Sequence, residues 1–183
     1  MDYFKKIIKE SVIIVIFSSS IGLFSGTLLS KNEEILYSFP ILLLILPALN
    51  SLTGDMATVL ISRLTTHFYI GTLAPKIEYS KRLKEDFLGL FFTIILSLIA
   101  LIIIGYMIGI ISGVKIVNPF IIIGIITLST MLLFTIMFIF LFISSIFLFK
   151  RGKDPNNFLI PFITSLADFL TPLLVIIFIQ III

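Results

Sequence analysis

The sequence predicts an all-α integral membrane protein with five transmembrane helices, and three observations carry that prediction. Hydrophobic residues fill 59% of the 183 positions, and mean hydropathy is +1.25. A soluble core of this size cannot hide so much apolar surface. Five apolar runs, about 11–29, 37–61, 87–111, 119–149 and 158–183, each exceed the roughly 17 residues that cross a hydrocarbon layer. The basic residues also alternate between connections. Lys5, Lys6 and Lys9 precede the first run. Arg63, Lys76, Lys81, Arg82 and Lys84 separate the second from the third. Lys150, Arg151 and Lys153 separate the fourth from the fifth, leaving only Lys31 and Lys115 on the other side. The positive-inside rule then predicts a cytoplasmic N-terminus and, with five spans, an outer C-terminus.

The first run follows a basic segment, as the apolar part of a signal peptide does. It is too long for that and lacks a small-x-small cleavage pattern before a polar chain, so we read it as a helix. Its Ser18, Ser19, Ser20, Gly22 and Gly26 suit close helix packing. The second run is interrupted by polar residues and carries chemistry, discussed below. In the third, Gly105, Gly109 and Gly113 form a small-xxx-small ladder for helix contact. The fourth and fifth runs open after Asn118-Pro119 and Asp154-Pro155, each a capping side chain before a proline at the first helical position. The fourth is long enough to require tilt, a kink or an extension beyond the membrane. Tryptophan is absent, so Tyr3, Tyr37 and Tyr69 are the expected interfacial aromatics. No internal repeat or soluble module interrupts residues 1–183, which we read as one membrane domain.

Composition excludes several chemistries. With no cysteine there are no disulfides or thiolate sites, and a single histidine, His67, cannot build the usual zinc site. His67 is most simply an interfacial residue, and Arg63 an end anchor or ion-pair partner. The net charge of +3 is explained by topology, so no nucleic-acid partner is expected, and no cofactor is expected either.

Asp168 is the only formal charge in the last apolar run. A carboxylate at mid-membrane costs about 2.5–3.5 kcal/mol on the mildest scale, so it calls for a watery cavity, a proton or a cation. Asn157, Pro161, Thr164, Asp168 and Thr171 recur every three or four residues, which places them on one helical face. In the second run Asp55, Thr58 and Ser62 share a face in the same way, with Pro47 and Asn50 upstream. Carboxylates, hydroxyls and amide oxygens without sulfur suit a hard cation such as Mg²⁺. Pro172 lacks an N–H and so frees the carbonyl of Asp168, four residues earlier. We expect that carbonyl to point into the same polar space as the carboxylate.

Pro47-Ala48-Leu49-Asn50-Ser51-Leu52-Thr53-Gly54-Asp55, followed by Leu60-Ile61-Ser62-Arg63-Leu64-Thr65-Thr66 and Ile70-Gly71, resembles the signature of MgtE-type magnesium transporters, closest to their eukaryotic solute-carrier branch. Asp154-Pro155-Asn156-Asn157, Pro161 and Thr164-Ser165-Leu166-Ala167-Asp168 resemble that family's last helix, whose Asp is a pore cation site. The resemblance implies an MgtE-like transmembrane domain that carries a divalent cation. Asp168 would be the central site, with Asp55, Asn50, Thr58, Asn157, Thr164 and Thr171 along the route. It also implies a dimer, because five helices are half of what the family uses. The partner is either a second copy or a paralogous half. Two departures stand out. Gly54-Asp55 replaces the family's usual Gly-Asn and adds a negative charge. The family's large cytosolic sensor domains also have no counterpart in the roughly ten residues before the first helix, so gating is expected to arise elsewhere.

The competing expectation is an intramembrane aspartyl protease using Asp55 and Asp168 as an acid/base pair. Leu52 stands where that class places its first glycine, and Ala167 precedes the second acid where a tyrosine is required. Transport of a divalent cation by a multi-pass protein of the cell membrane is therefore the leading expectation.

Overall fold

The computed structural model describes residues 2–182. At 2, 3, 5–7 and 9–11 it describes backbone alone, so the side chains of Tyr3, Lys5, Lys6 and Lys9 lie outside the described residues. Six helices follow in order: α1 Asp2–Lys31, α2 Glu33–Ser38, α3 Pro40–Tyr69, α4 Lys81–Ile111, α5 Pro119–Lys150 and α6 Pro155–Ile182. All but the short α2 are long and apolar enough to cross a membrane. Among the described residues no strand occurs.

The helix ends differ from the hydropathy limits, each for a local reason. The second spanning helix starts at Pro40 rather than Tyr37. A residue before proline is pushed off the helical region, and Phe39 sits at φ −128°, ψ 71°. Tyr37 therefore belongs to α2 and is exposed. At its far end α3 runs eight residues past Ile61, and α4 opens at Lys81, six residues before Phe87. These added turns are polar, and hydropathy marks where lipid is rather than where helical bonding stops. The last helix opens at Pro155 rather than Phe158, with Asp154 Oδ1 accepting the Asn156 N–H at 2.9 Å. Asn118 does not cap. It lies in the left-handed region at φ 45° and makes no capping side-chain bond, although α5 still begins at Pro119. The 32 residues of α5 rise about 48 Å, so tilt or extension, without a proline kink, accommodates its length.

α3 is the central helix, packed against α4, α5 and α6. α6 also packs on α5, and α1 rests on α6. Among its described side chains the less exposed positions of α1 are Ile14, Ser18, Ile21, Ser25, Leu28 and Leu29; the first five alternate steps of four and three as one helical seam requires. Ser19, Ser20, Gly22 and Gly26 are exposed instead, and a Cβ at either glycine would meet nothing within 4 Å. They are not packing residues within this chain. The α4 ladder does pack. A Cβ on Gly105 would come 2.9 Å from Ile45 Cγ1, and one on Gly109 2.6 Å from Ile41 Cδ1. Gly113, at φ 67° with open space around it, serves the turn after the helix.

The apolar core falls into two clusters with a polar level between them. One holds Met56–Phe68, Leu133–Ile146 and Leu159–Ala167 residues; the other holds Leu36–Leu49, Ile122–Ile126 and Val175–Ile179 residues. The gap lies near mid-length on α3 and α6 and about a third of the way along α5, and it contains Asn50 and Thr53 on α3, Ser129 and Thr130 on α5, and Thr171 on α6.

Replacing Gly105 by Val should force α3 and α4 apart, at a cost of about 1–3 kcal/mol for overpacking. A clear fall in the thermal unfolding temperature in detergent is expected. Gly89→Ala, where a Cβ meets nothing within 4 Å, should be neutral or stabilising. Equal unfolding temperatures for the two variants would contradict the close approach.

Candidate functional site

α3 leaves one polar stripe uncovered by its own chain. Ser51, Asp55, Arg63 and Thr66 are exposed, and Thr58 and Ser62 partly so. The stripe follows from three- and four-residue spacing, and its hydroxyls are arranged by the helix itself. Thr58 Oγ1 donates to the Gly54 carbonyl at 2.9 Å and Thr66 Oγ1 to that of Ser62 at 2.8 Å. Each hydroxyl has spent its proton on the backbone and turns lone pairs outward, as a cation requires. Ser51 Oγ lies 3.4 Å from Asp55 Oδ2, toward which it donates. Asp55 is 15 residues into a 30-residue helix, so it sits at mid-depth.

Asp168, 13 residues into the 28 of α6, reaches a comparable depth and is also exposed. Gly54 brings the two stripes together. A Cβ there would lie 3.8 Å from Thr164 Cγ2 and 3.9 Å from Thr164 Cα. α3 and α6 thus cross at Gly54 and Thr164, with Asp55 next to the crossing and Asp168 one turn beyond it. Thr164 Oγ1 bonds back to the Ile160 and Pro161 carbonyls, both at 3.1 Å. Asn157 is exposed toward the start of α6.

Three expectations about this stripe change. Thr171 is 2% exposed and its hydroxyl has no hydrogen-bond partner, so it belongs to the buried polar level rather than to the open face of Asp168. Asn50 is half-buried, with Oδ1 enclosed and unpartnered. The Asp168 carbonyl does not share a polar space with its carboxylate, because Ser25 Oγ of α1 donates to it at 2.6 Å. Among the described residues, no group of three His, Cys, Asp or Glu side chains gathers to hold an ion.

At the end of the bundle where α3 finishes and α4 begins, Arg63 has the ion-pair partner expected of it. Arg63 donates to Asp86 Oδ1 through Nε at 2.8 Å and Nη2 at 2.5 Å. His67 Nε2 lies 3.2 Å from Asp86 Oδ2, and its Nδ1 is 2.8 Å from Thr72 Oγ1. His67 is thus buried beside the Arg63–Asp86 pair rather than a simple interfacial residue. Asp86 is 1% exposed and was hidden in a charged connection. The available signal was the i, i+4 spacing of Arg63 and His67, which puts two donors on one face in need of one acid. Arg63 is half exposed and borders two clefts. One, of about 350 Å³, is lined by Thr58, Val59, Ser62, Arg63, Thr66 and His67. The other, of about 280 Å³, includes Glu85, Asp86, Gly89 and Thr93.

A sequence model of the MgtE family, described as divalent cation transporter, matches residues 46–178. The match runs from α3 into α6 and so contains both polar stripes. No curated protein and no solved structure matches the chain.

Breaking the Arg63–Asp86 pair should be asymmetric. Arg63→Ala strands a buried carboxylate and should cost about 3 kcal/mol or more. Asp86→Ala leaves a half-exposed guanidinium that can turn toward water, and should cost less. The double variant should be more stable than Arg63→Ala alone, read from unfolding in detergent. A wild-type unfolding temperature for Arg63→Ala would contradict the pairing.

Proposed function

Because this multi-pass membrane chain belongs to the MgtE family of divalent cation transporters, we propose that it carries Mg²⁺ through a path formed where the α3 and α6 stripes of two copies face each other. The observation that carries this reading is the exposure of both mid-depth carboxylates, Asp55 and Asp168, beside the Gly54–Thr164 crossing. A carboxylate facing lipid is costly, so an exposed pair at mid-membrane calls for a covering surface. A second copy related by a twofold axis supplies the same stripe in return, and a paralogous half could do the same. In the symmetric pair both carboxylates appear twice, which brings four acids around one path.

The donor set suits Mg²⁺. Carboxylates, hydroxyls with outward lone pairs and the Asn157 amide are hard oxygen ligands. Mg²⁺ surrenders its water reluctantly, so these groups serve as acceptors for a hydrated ion, with Asp168 as the central charge. Asp55, Thr58 and Thr164 extend the acceptors along the route. Asn50 and Thr171, enclosed behind the stripe, support it through the buried polar level. The alternation of basic connections supports a cytoplasmic N-terminus and an outer C-terminus, and we place the chain in the cell membrane. In that orientation Arg63, His67 and Asp86 lie at the cytoplasmic end of the path.

In liposomes loaded with a Mg²⁺-sensitive dye, Asp168→Asn should abolish uptake, while Asp55→Asn should reduce it and leave measurable flux. Both variants should insert and elute as the wild type does. Uptake by Asp168→Asn at the wild-type rate would overturn the assignment.

A further inference from the structure

Pro172 stands one helical turn after Asp168 and cannot donate the hydrogen bond that the Asp168 carbonyl expects. At this depth there is no lipid donor to replace it, and an unsatisfied carbonyl is expensive. The donor comes from another helix. Ser25 Oγ of α1, itself 6% exposed, sits 2.6 Å from the Asp168 oxygen. Seven residues earlier on α1, Ser18 Oγ donates to the Pro161 carbonyl at 2.9 Å. Both pairs are separated by the same 143 residues, so α1 and α6 run parallel in one fixed register. The two bonds are not equivalent. The Pro161 carbonyl also receives the hydroxyls of Thr164 at 3.1 Å and Ser165 at 3.4 Å. For the Asp168 carbonyl, Ser25 is the side-chain donor, and its normal helical donor is missing.

We infer that Ser25 is a positioning residue for Asp168: its bond to the proline-orphaned carbonyl fixes the backbone from which the carboxylate projects. This rests on the reading of Asp168 as the ion site. α1 then contributes to ion binding without touching the path, although the family match begins only at residue 46. The face of α1 that does so is the Ile14, Ser18, Ile21, Ser25 and Leu28 seam, and the fixed register delivers Ser25 to one carbonyl.

The test is Mg²⁺ uptake as a function of Mg²⁺ concentration, with the full chain in liposomes. Ser25→Ala should raise the half-saturating concentration by about fivefold or more, the effect of one lost buried hydrogen bond, with a much smaller change in maximal rate. Ser25→Thr, which keeps the hydroxyl, should restore the wild-type value, and Ser18→Ala should leave it within about twofold because its carbonyl keeps other donors. Pro172→Ala returns an N–H to the helix, so in that background Ser25→Ala should have no further effect. Ser25→Cys, a weaker donor, should shift half-saturation by an intermediate amount and serves if the alanine variant fails to accumulate. Half-saturation unchanged in Ser25→Ala, or an undiminished effect in the Pro172→Ala background, overturns the inference. Asp168→Asn run alongside separates the two readings. If it abolishes uptake while Ser25→Ala matches wild type, only the positioning role falls. If it transports normally, both fall.

Discussion

Hydrocarbon offers no hydrogen bonds, so every polar group that this chain takes into the membrane must find its partner within protein or along a wetted path. Thr53 and Thr58 of α3 meet the requirement by bonding to the preceding turn, at the Leu49 and Gly54 carbonyls. Ser25 meets it between helices, because Pro172 removes the local solution for Asp168. Arg63 and Asp86 meet it by pairing across α3 and α4. The carboxylates of Asp55 and Asp168 receive no comparable pairing from their own chain, and the proposed function follows from that difference.

The division of the core runs against that rule. Two apolar clusters supply the packing, above and below a mid-depth level that holds Asn50, Ser129 and Thr171 with oxygens lacking partners. Apolar residues at those positions would pack as well and would leave nothing unsatisfied. A polar level is therefore a cost, and it lies at the depth of the two exposed acids. Gly54 marks the α3–α6 crossing there, where an added Cβ would meet Thr164 only at ordinary contact distance, and Asp55 stands next to it in sequence.

Hydropathy made the five spans legible because lipid-facing length is a local property of sequence. The helix ends were not legible in this way. Tyr69 and Lys81 end helical turns that are polar, and hydropathy does not mark where helical bonding continues past the lipid. Pro172 did reveal that the Asp168 carbonyl was orphaned, since the missing N–H is a fixed property of proline. The destination of that carbonyl, 143 residues away on α1, has no local trace. Small residues were legible only in part: Gly105 and Gly109 face α3, whereas Gly22 and Gly26 share a helix with Ser18 and Ser25 but point away from α6. Spacing gives a face, but not the neighbour that meets it. Asn118 shows a further limit, because a capping residue type before proline turned left-handed and left its side chain out of the cap.

The central claim is that the α3 and α6 stripes of two copies enclose one divalent cation path with Asp168 at its centre. The most direct measurement is a structure of the purified protein in membrane-like surroundings with Mn²⁺, whose anomalous scattering marks the ion. The account predicts a twofold pair joined along α3 and α6, with the Mn²⁺ signal on the axis between the two Asp168 side chains. A pair joined through other helices, with both Asp168 side chains facing lipid and no ion between them, would contradict it.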